Sequence, residues 1–395
     1  FAGVNFSVFG QTIGDYRSRQ NGSWTNINTW QQFDGTTWVN STPPANTVGN
    51  ISITIRNAVT LNNNLVLNLN GTIIKMEGGT ITGGNNNTRL NFNANSVCEM
   101  ISSSAVPRPS GITTWNATSI LRLINIGSTA ISYTNITNQD FGIVEYNRPS
   151  QTDYQVFNFG GVATEFRFIN SGGLAGWQNS QTIAGNVVFS GGWFDSSNYD
   201  KNLTFTINGD FTIQGGIYYC AFNNLSNISN LSTIRTRTIV NGNFVMTGGD
   251  FRYRATAQIT TQPISGEGTI DVLGNVTISG GTFNNGFYNG ETGFYINGAA
   301  SKNVTITSSL PSDFSQRFYI KNDNTSINEI YNGTTAQLAV GALTPTRAGY
   351  LAWSNSGTII KNFTVNNAAG VTLQTNRTIN ENLFLTNGTL TNSTN

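Results

Sequence analysis

The sequence predicts an all-β protein, a right-handed parallel β-helix (β-solenoid) with an N-terminal aromatic-rich cap, and three observations predict it. Four segments align without gaps: IAGNVVFSGGWF from Ile183, INGDFTIQGGIY from Ile207, VNGNFVMTGGDF from Val240 and VLGNVTISGGTF from Val272. Within each copy apolar residues recur two apart, the period of a strand, and no long segment of the chain carries the 3.6-residue apolar period of a helix. The composition agrees, because charged residues make up only 10 % and the polar remainder is dominated by Asn, Thr, Ser and Gly, which do not favour helices.

The elements follow in chain order. Residues 1–10, FAGVNFSVFG, are mostly apolar, and Val8 and Gly10 suit the small-residue rule for cleavage after Gly10, so they read as a signal-peptide remnant. Residues 11–49 place Trp24, Trp30 and Trp38 among polar residues and close with STPPAN at 41–46. This segment is expected to be irregular structure capping the first rung, since an uncovered rung presents an unpaired strand edge.

Residues 50–395 are expected to be the solenoid. The repeated glycine falls at 185, 209, 242 and 274, and those spacings are within the range of β-helical coils with loop insertions. Val187, Phe211, Phe244 and Val276 form one apolar column, and Phe189, Ile213, Met246 and Ile278 a second. The double glycine permits a corner with positive φ, after which Phe194, Tyr218, Phe251 and Phe283 re-enter the core as an aromatic column. Looser copies are GTIIKMEGGTI from Gly71 and INENLFLTNGTL from Ile379, where Asn387-Gly388 takes the double-glycine place. The chain stops within a repeat, at NGTLTNSTN, so additional rungs are expected C-terminal to it. Right-handed coiling is the default chirality of parallel crossovers.

Composition also narrows the functions. With 20 basic and 19 acidic side chains the net charge is +1, so long-range attraction favours neither nucleic acid nor an anionic membrane. No run approaches the 18 apolar residues of a membrane helix. The absence of histidine removes the commonest general base, the Ser-His and Cys-His nucleophile arrangements and the commonest zinc ligand. Cys98 and Cys220 are too few for a disulfide framework and read as buried apolar residues. No Asp-x-Asp-x-Asp-Gly loop is present, and neither a metal nor a cofactor is expected.

Two stretches carry a resemblance: YRSRQNGSWTNINTWQQFDGTTWVN from Tyr16, and EIYNGTTAQLAVGALTP from Glu329 with KNFTVNNAAGVTLQTNRTINENLFLTNGTL from Lys361. Both resemble large surface proteins of Bacteroidota, pectin-lyase-like β-solenoids that are commonly adhesin-like and leave the cell by the Sec and type IX secretion systems. The resemblance implies a secreted or outer-surface location. It covers the first segment and about the last 65 residues well and the middle loosely, and it specifies architecture better than activity.

Candidate contact residues are those that alternation sends outward. Asp250, Arg252 and Arg254 alternate with Phe251 and Tyr253, and Arg235 and Arg237 make a similar pair one rung earlier. With Glu267 and Asp271 they would form an external groove for an acidic glycan, lyase-like if an arginine served as base; the alternative is a ladder of surface ion pairs. Asp195 with Asp200 is the other carboxylate pair a glycoside hydrolase would need, although the loop DSSNYDK reads as a turn. Trp193, Trp177 and Trp353 are candidates for stacking on sugars, Trp193 because it precedes the inward Phe194. Thr204 with Thr206 and Thr236 with Thr238 would suit an ice-binding face, but such pairs do not recur at one place in every rung. The reading is therefore a non-catalytic structural or adhesive region that contacts extracellular polysaccharide or a cell-surface glycan, with a polysaccharide lyase or glycoside hydrolase as the alternative and ice binding as a minor one.

Overall fold

The computed structural model describes residues 11–102, 106–107, 110–124, 140–152, 154–157, 161–196, 202–220, 235–252, 267–284, 293–296, 301–307, 318–321, 327–334, 337–339, 350–352, 359–373 and 378–392. Apart from one 3-10 turn at Ile27–Thr29, every element among them is a strand. No helix there is long and apolar enough to cross a membrane. The chain divides into two compact units, residues 1–148 with 159–164, and residues 149–158 with 165–395.

Beyond the N-terminal segment of the first unit, the strands of one turn pair not with each other but with strands one rung away. One parallel stack holds Tyr16–Ser18, Ser52–Ile55, Ile73–Met76, Val97–Met100, Ile120–Ile124 and Asp140–Arg148. A second holds Gly22–Ser23, Ala58–Leu61 and Thr80–Gly83. A third holds Thr47–Gly49, Val66–Asn70, Arg89–Phe92 and Ile112–Trp115. The chain visits the stacks in rotation, the connectivity of a solenoid coil. Because parallel strands stack in register, every inward position becomes a column: Ile53, Ile74, Cys98, Leu121 and Val144 lie one above the other, all fully buried. At one corner Thr72, Ser96 and Ser119 are buried, and their hydroxyls donate to the carbonyls of Val48, Leu69 and Asn116 at 3.0, 2.6 and 2.7 Å, which removes the penalty of burying them unpaired.

The segment expected to be irregular carries short strands among its loops. Tyr16–Ser18 pairs on its other edge with Trp30–Phe33, antiparallel, and that strand pairs antiparallel with Trp38–Asn40. Trp24 and Trp30 are buried edge to face at 4.9 Å, with their indole N–H groups donating to the carbonyls of Pro44 and Trp24. Two aromatic anchors with satisfied polar ends hold this segment down better than irregular chain would.

The second unit repeats the scheme. Strands Asn186–Phe189, Phe211–Ile213, Phe244–Met246, Val276–Ile278, Lys302–Ile306, Ile327–Gly333, Ile359–Asn367 and Thr378–Asn387 form one parallel stack. Leu174–Trp177, Trp193–Asp195, Ile217–Tyr219, Asp250–Arg252 and Thr282–Asn284 form another. Gln181–Ile183, Thr204–Ile207, Arg235–Val240, Glu267–Val272 and Gly293–Ile296 form the third. The columns expected from the sequence are the register pairs found, and Phe194, Tyr218, Phe251 and Phe283 are buried with successive ring centroids 6.1, 5.5 and 5.5 Å apart. Most of the difference in repeat length falls between the second and third strands, at 196–203, 220–234 and 253–266.

The corner glycine is the second of each pair, with φ of 75° at Gly192 and Gly216, 80° at Gly249 and 91° at Gly281. In the looser copy near Gly71 it is the first, Gly78, at 80°. A Cβ added to Gly216 would lie 2.5 Å from the carbonyl carbon of Gly191 and the oxygen of Gly192. Gly216→Ala combines the cost of a left-handed conformation with that collision, and is expected to destabilise the protein by at least about 2 kcal/mol, seen as a lower urea midpoint. Burial pushes the thiols of Cys98 and Cys220 above their ordinary 9.0 and the Tyr218 phenol above 10.0. The unfolded chain therefore releases these protons at a pH where the folded chain still holds them. Stability is expected to be intact below about pH 9 and to fall as pH rises above it, and melting curves from pH 7 to 11 test this.

Candidate functional site

The outer surface of the second unit is organised by a ladder that the sequence reading did not single out. The fourth residue of each repeat copy, Asn186, Asp210, Asn243 and Asn275, stands just before or at the start of the first-stack strand. Asn186 Oδ1 accepts the Asp210 N–H at 2.9 Å, Asp210 Oδ1 that of Asn243 at 2.7 Å, Asn243 Oδ1 that of Asn275 at 2.9 Å, and Asn275 Oδ1 that of Asn303 at 2.9 Å. The line continues through amide-to-amide bonds from Asn328 to Asn303 and from Asn362 to Asn328, both 2.9 Å, and ends with Asn382 on Asn362. The signal was available: Asn or Asp follows the repeated glycine in all four copies. A carboxamide suits the place because it donates to the rung on one side and accepts from the rung on the other.

Trp193 lies on the outer face of the second stack and is 50 % exposed, as alternation predicts. It stands in an outward row in register with Leu174 before it and Ile217, Asp250 and Thr282 after it. The neighbouring row is Asp195, Tyr219, Arg252 and Asn284. Across these rows Arg252 is ion-paired with Asp250 at 2.6 Å and lies over the Tyr219 ring at 5.4 Å. Burial raises the Tyr219 pKa against the opposing pull of Arg252, so the phenol stays protonated, and its oxygen accepts from Arg252 Nη1 at 3.3 Å.

The expected groove is divided between two sheets. Arg252 and Asp250 belong to the second stack, whereas Arg235, Arg237, Glu267 and Asp271 belong to the third. Arg237 pairs with Asp271 at 2.6 Å, and Asp271 is fully buried. Arg235 is the register partner of Glu267. Arg254, Trp353 and Asp200, and the side chains of Arg235 and Glu267, lie outside the described residues.

Three expectations are corrected. Trp177 is fully buried, packed against Phe166, Phe194 and Phe205 at 5.0 to 5.2 Å, and presents no ring to solvent. Asp195 is not a turn former but the last residue of the strand Trp193–Asp195, buried and accepting the Tyr154 hydroxyl at 3.0 Å. The two threonine pairs face opposite ways: Thr236 and Thr238 point into the core, where Thr238 shares a 2.7 Å hydrogen bond with Tyr218, while Thr204 and Thr206 flank the buried Phe205 on the outside. No threonine row can form from them.

Inside the core, Glu329 stands in the apolar column between Val304 and Phe363, fully buried, and accepts the Tyr331 hydroxyl at 2.6 Å. Among the described residues no three His, Cys, Asp or Glu side chains converge as a metal ligand set. On the outer rows Arg252 is held by Asp250 and Arg237 by Asp271, and Trp193 is the most exposed Phe or Trp ring among the described residues.

Asn243→Ala removes an acceptor from Asn275 and a donor to Asp210 in one step. It is expected to cost about 1–3 kcal/mol and to lower the urea midpoint with no change in slope. No protein-family model, curated protein or solved structure matches the chain.

Proposed function

We propose that the chain is a non-catalytic structural and adhesive region of a secreted or outer-surface protein, a right-handed β-solenoid with an N-terminal cap that contacts extracellular polysaccharide. The observation that carries this reading is the amide ladder from Asn186 to Asn382. It commits the polar side chains of successive rungs to holding those rungs together, which suits a stiff spacer. The ion pairs of Arg252 with Asp250 and of Arg237 with Asp271 support the same reading, since these four charges are engaged by one another. The antiparallel strand Trp30–Phe33 lying along the edge of Tyr16–Ser18 supports the cap, because it occupies an edge that would otherwise pair with another chain. Right-handedness follows the general chirality of parallel crossovers. The location rests on the resemblance to Bacteroidota surface proteins.

Trp193, exposed beside Ile217, is the ring offered to a sugar face. A glycan-array screen of the recombinant chain, with each hit checked for new reducing ends or unsaturated products, tests the proposal. Binding without product is expected, weakened about tenfold by Trp193→Ala, the equivalent of about 1.4 kcal/mol. Product formation would replace the reading with a lyase or hydrolase, and no binding to any glycan would remove its adhesive part.

A further inference from the structure

The N-terminal hairpin carries a second surface of different chemistry. Register places Arg17 beside Gln31 and Gln31 beside Asn40, with Phe33 beside Trp38. Strand alternation sends these five side chains to one face and Tyr16 and the buried Trp30 to the other. The contacts agree. The Arg17 guanidinium lies 4.5 Å over the Trp38 ring, its Nε donates to Gln31 Oε1 at 2.9 Å, and Phe33 packs on Trp38 at 5.4 Å. The exposed Arg19 donates from Nη1 to Asn40 Oδ1. Arg56, just beyond the end of the adjoining strand Ser52–Ile55, is paired with Glu77.

The charge on this face is not neutralised. Among the described residues Arg17 and Arg19 hydrogen-bond only to amide oxygens. The nearby carboxylates are occupied elsewhere: Asp15 accepts the N–H groups of Thr12 and Ser52, Asp34 those of Thr36 and Thr37, and Glu77 holds Arg56. Burial lowers the Arg17 pKa, and repulsion from Arg56 lowers it further, as accumulated positive charge would. Guanidinium forks that are already oriented lose little freedom on taking up a carboxylate, and the Phe33–Trp38 pair supplies an apolar surface beside them.

We infer that the face formed by Arg17, Arg19, Gln31, Phe33, Trp38 and Asn40 is a docking surface for a carboxylate-bearing polysaccharide, a polyuronate. The arginines take the carboxylates, the free amide N–H groups of Gln31 and Asn40 meet hydroxyls, and the aromatic pair lies against a sugar ring. The inference rests on the adhesive reading and gives it an acidic ligand at a site separate from Trp193.

Affinity electrophoresis of the full chain through gels containing polygalacturonate, uncharged dextran or a single-stranded oligonucleotide tests it. Polygalacturonate should retard the wild-type chain, and added salt should weaken the effect. Arg19→Gln, at an exposed position, should weaken it at least about fivefold with an unchanged melting temperature, which is about 1 kcal/mol. Arg17→Gln/Arg19→Gln should abolish it, and Trp193→Ala should leave it intact. Absence of retardation by polygalacturonate, equal retardation by the oligonucleotide, or retardation that survives the double substitution would overturn the inference. Array binding to neutral glycans that is lost in Trp193→Ala would meanwhile leave the adhesive reading standing.

Discussion

The structure depends on in-register stacking of parallel strands. Each rung offers the next an open row of backbone N–H and C=O groups, and satisfying that row fixes the neighbours about 4.8 Å apart. Every side chain then has near-copies of its own position above and below it. Inside, this produces continuous apolar and aromatic columns, of which Phe194, Tyr218, Phe251 and Phe283 are one. A core made this way needs no precise interlocking of distant elements, only the same kind of residue at the same place in each turn.

The same constraint explains the low charge of the sequence. Like charges placed in one outward column would face each other at strand spacing, which is unfavourable. The chain meets this in two ways. Neutral amides occupy all but one place of the long ladder of the second unit, Asp210 being the exception, and one Asn can both donate and accept, as stacked Asn ladders do in cross-β assemblies. Where charges do stack, they alternate: Lys75, Glu99, Arg122 and Glu145 follow one another in register, with Arg122 bonded to Glu99 at 2.8 Å and to Glu145 at 2.6 Å. In the second unit Arg237 reaches its carboxylate on the diagonal instead, pairing with Asp271 two positions beyond its register partner Thr269. Charges outside such alternation, as at Arg17 and Arg19, therefore stand out from the rest of the surface.

Much of the architecture was legible. Strand identity, the apolar columns and the glycine corners could be read because each depends on a few adjacent residues and recurs in four copies. Outward placement of Trp193 followed from the same alternation. Trp177 misled because it lies outside the four aligned copies: it shares the inward face with Ala175, the register partner of Phe194. Asp195 misled because its loop-like sequence hides that it closes a strand and is covered there. Thr236 and Thr238 misled differently, since a hydroxyl can face inward when another rung supplies a partner, here Tyr218. The amide ladder was present in the alignment but is defined only by bonds between residues 20 to 34 positions apart.

By itself the sequence determined the rung: which residues point inward, where the chain turns, and that copies of the rung stack. Local sterics and two-residue periodicity decide these things, and both are properties of short segments. Only the tertiary structure decided which polar groups meet. It separated Arg252 from Arg237 onto different sheets, paired each with its own carboxylate, and folded the N-terminal strands so that Arg17 lies over Trp38. Those outcomes depend on register between rungs and on the return path of the hairpin, which bring together residues that no local pattern relates.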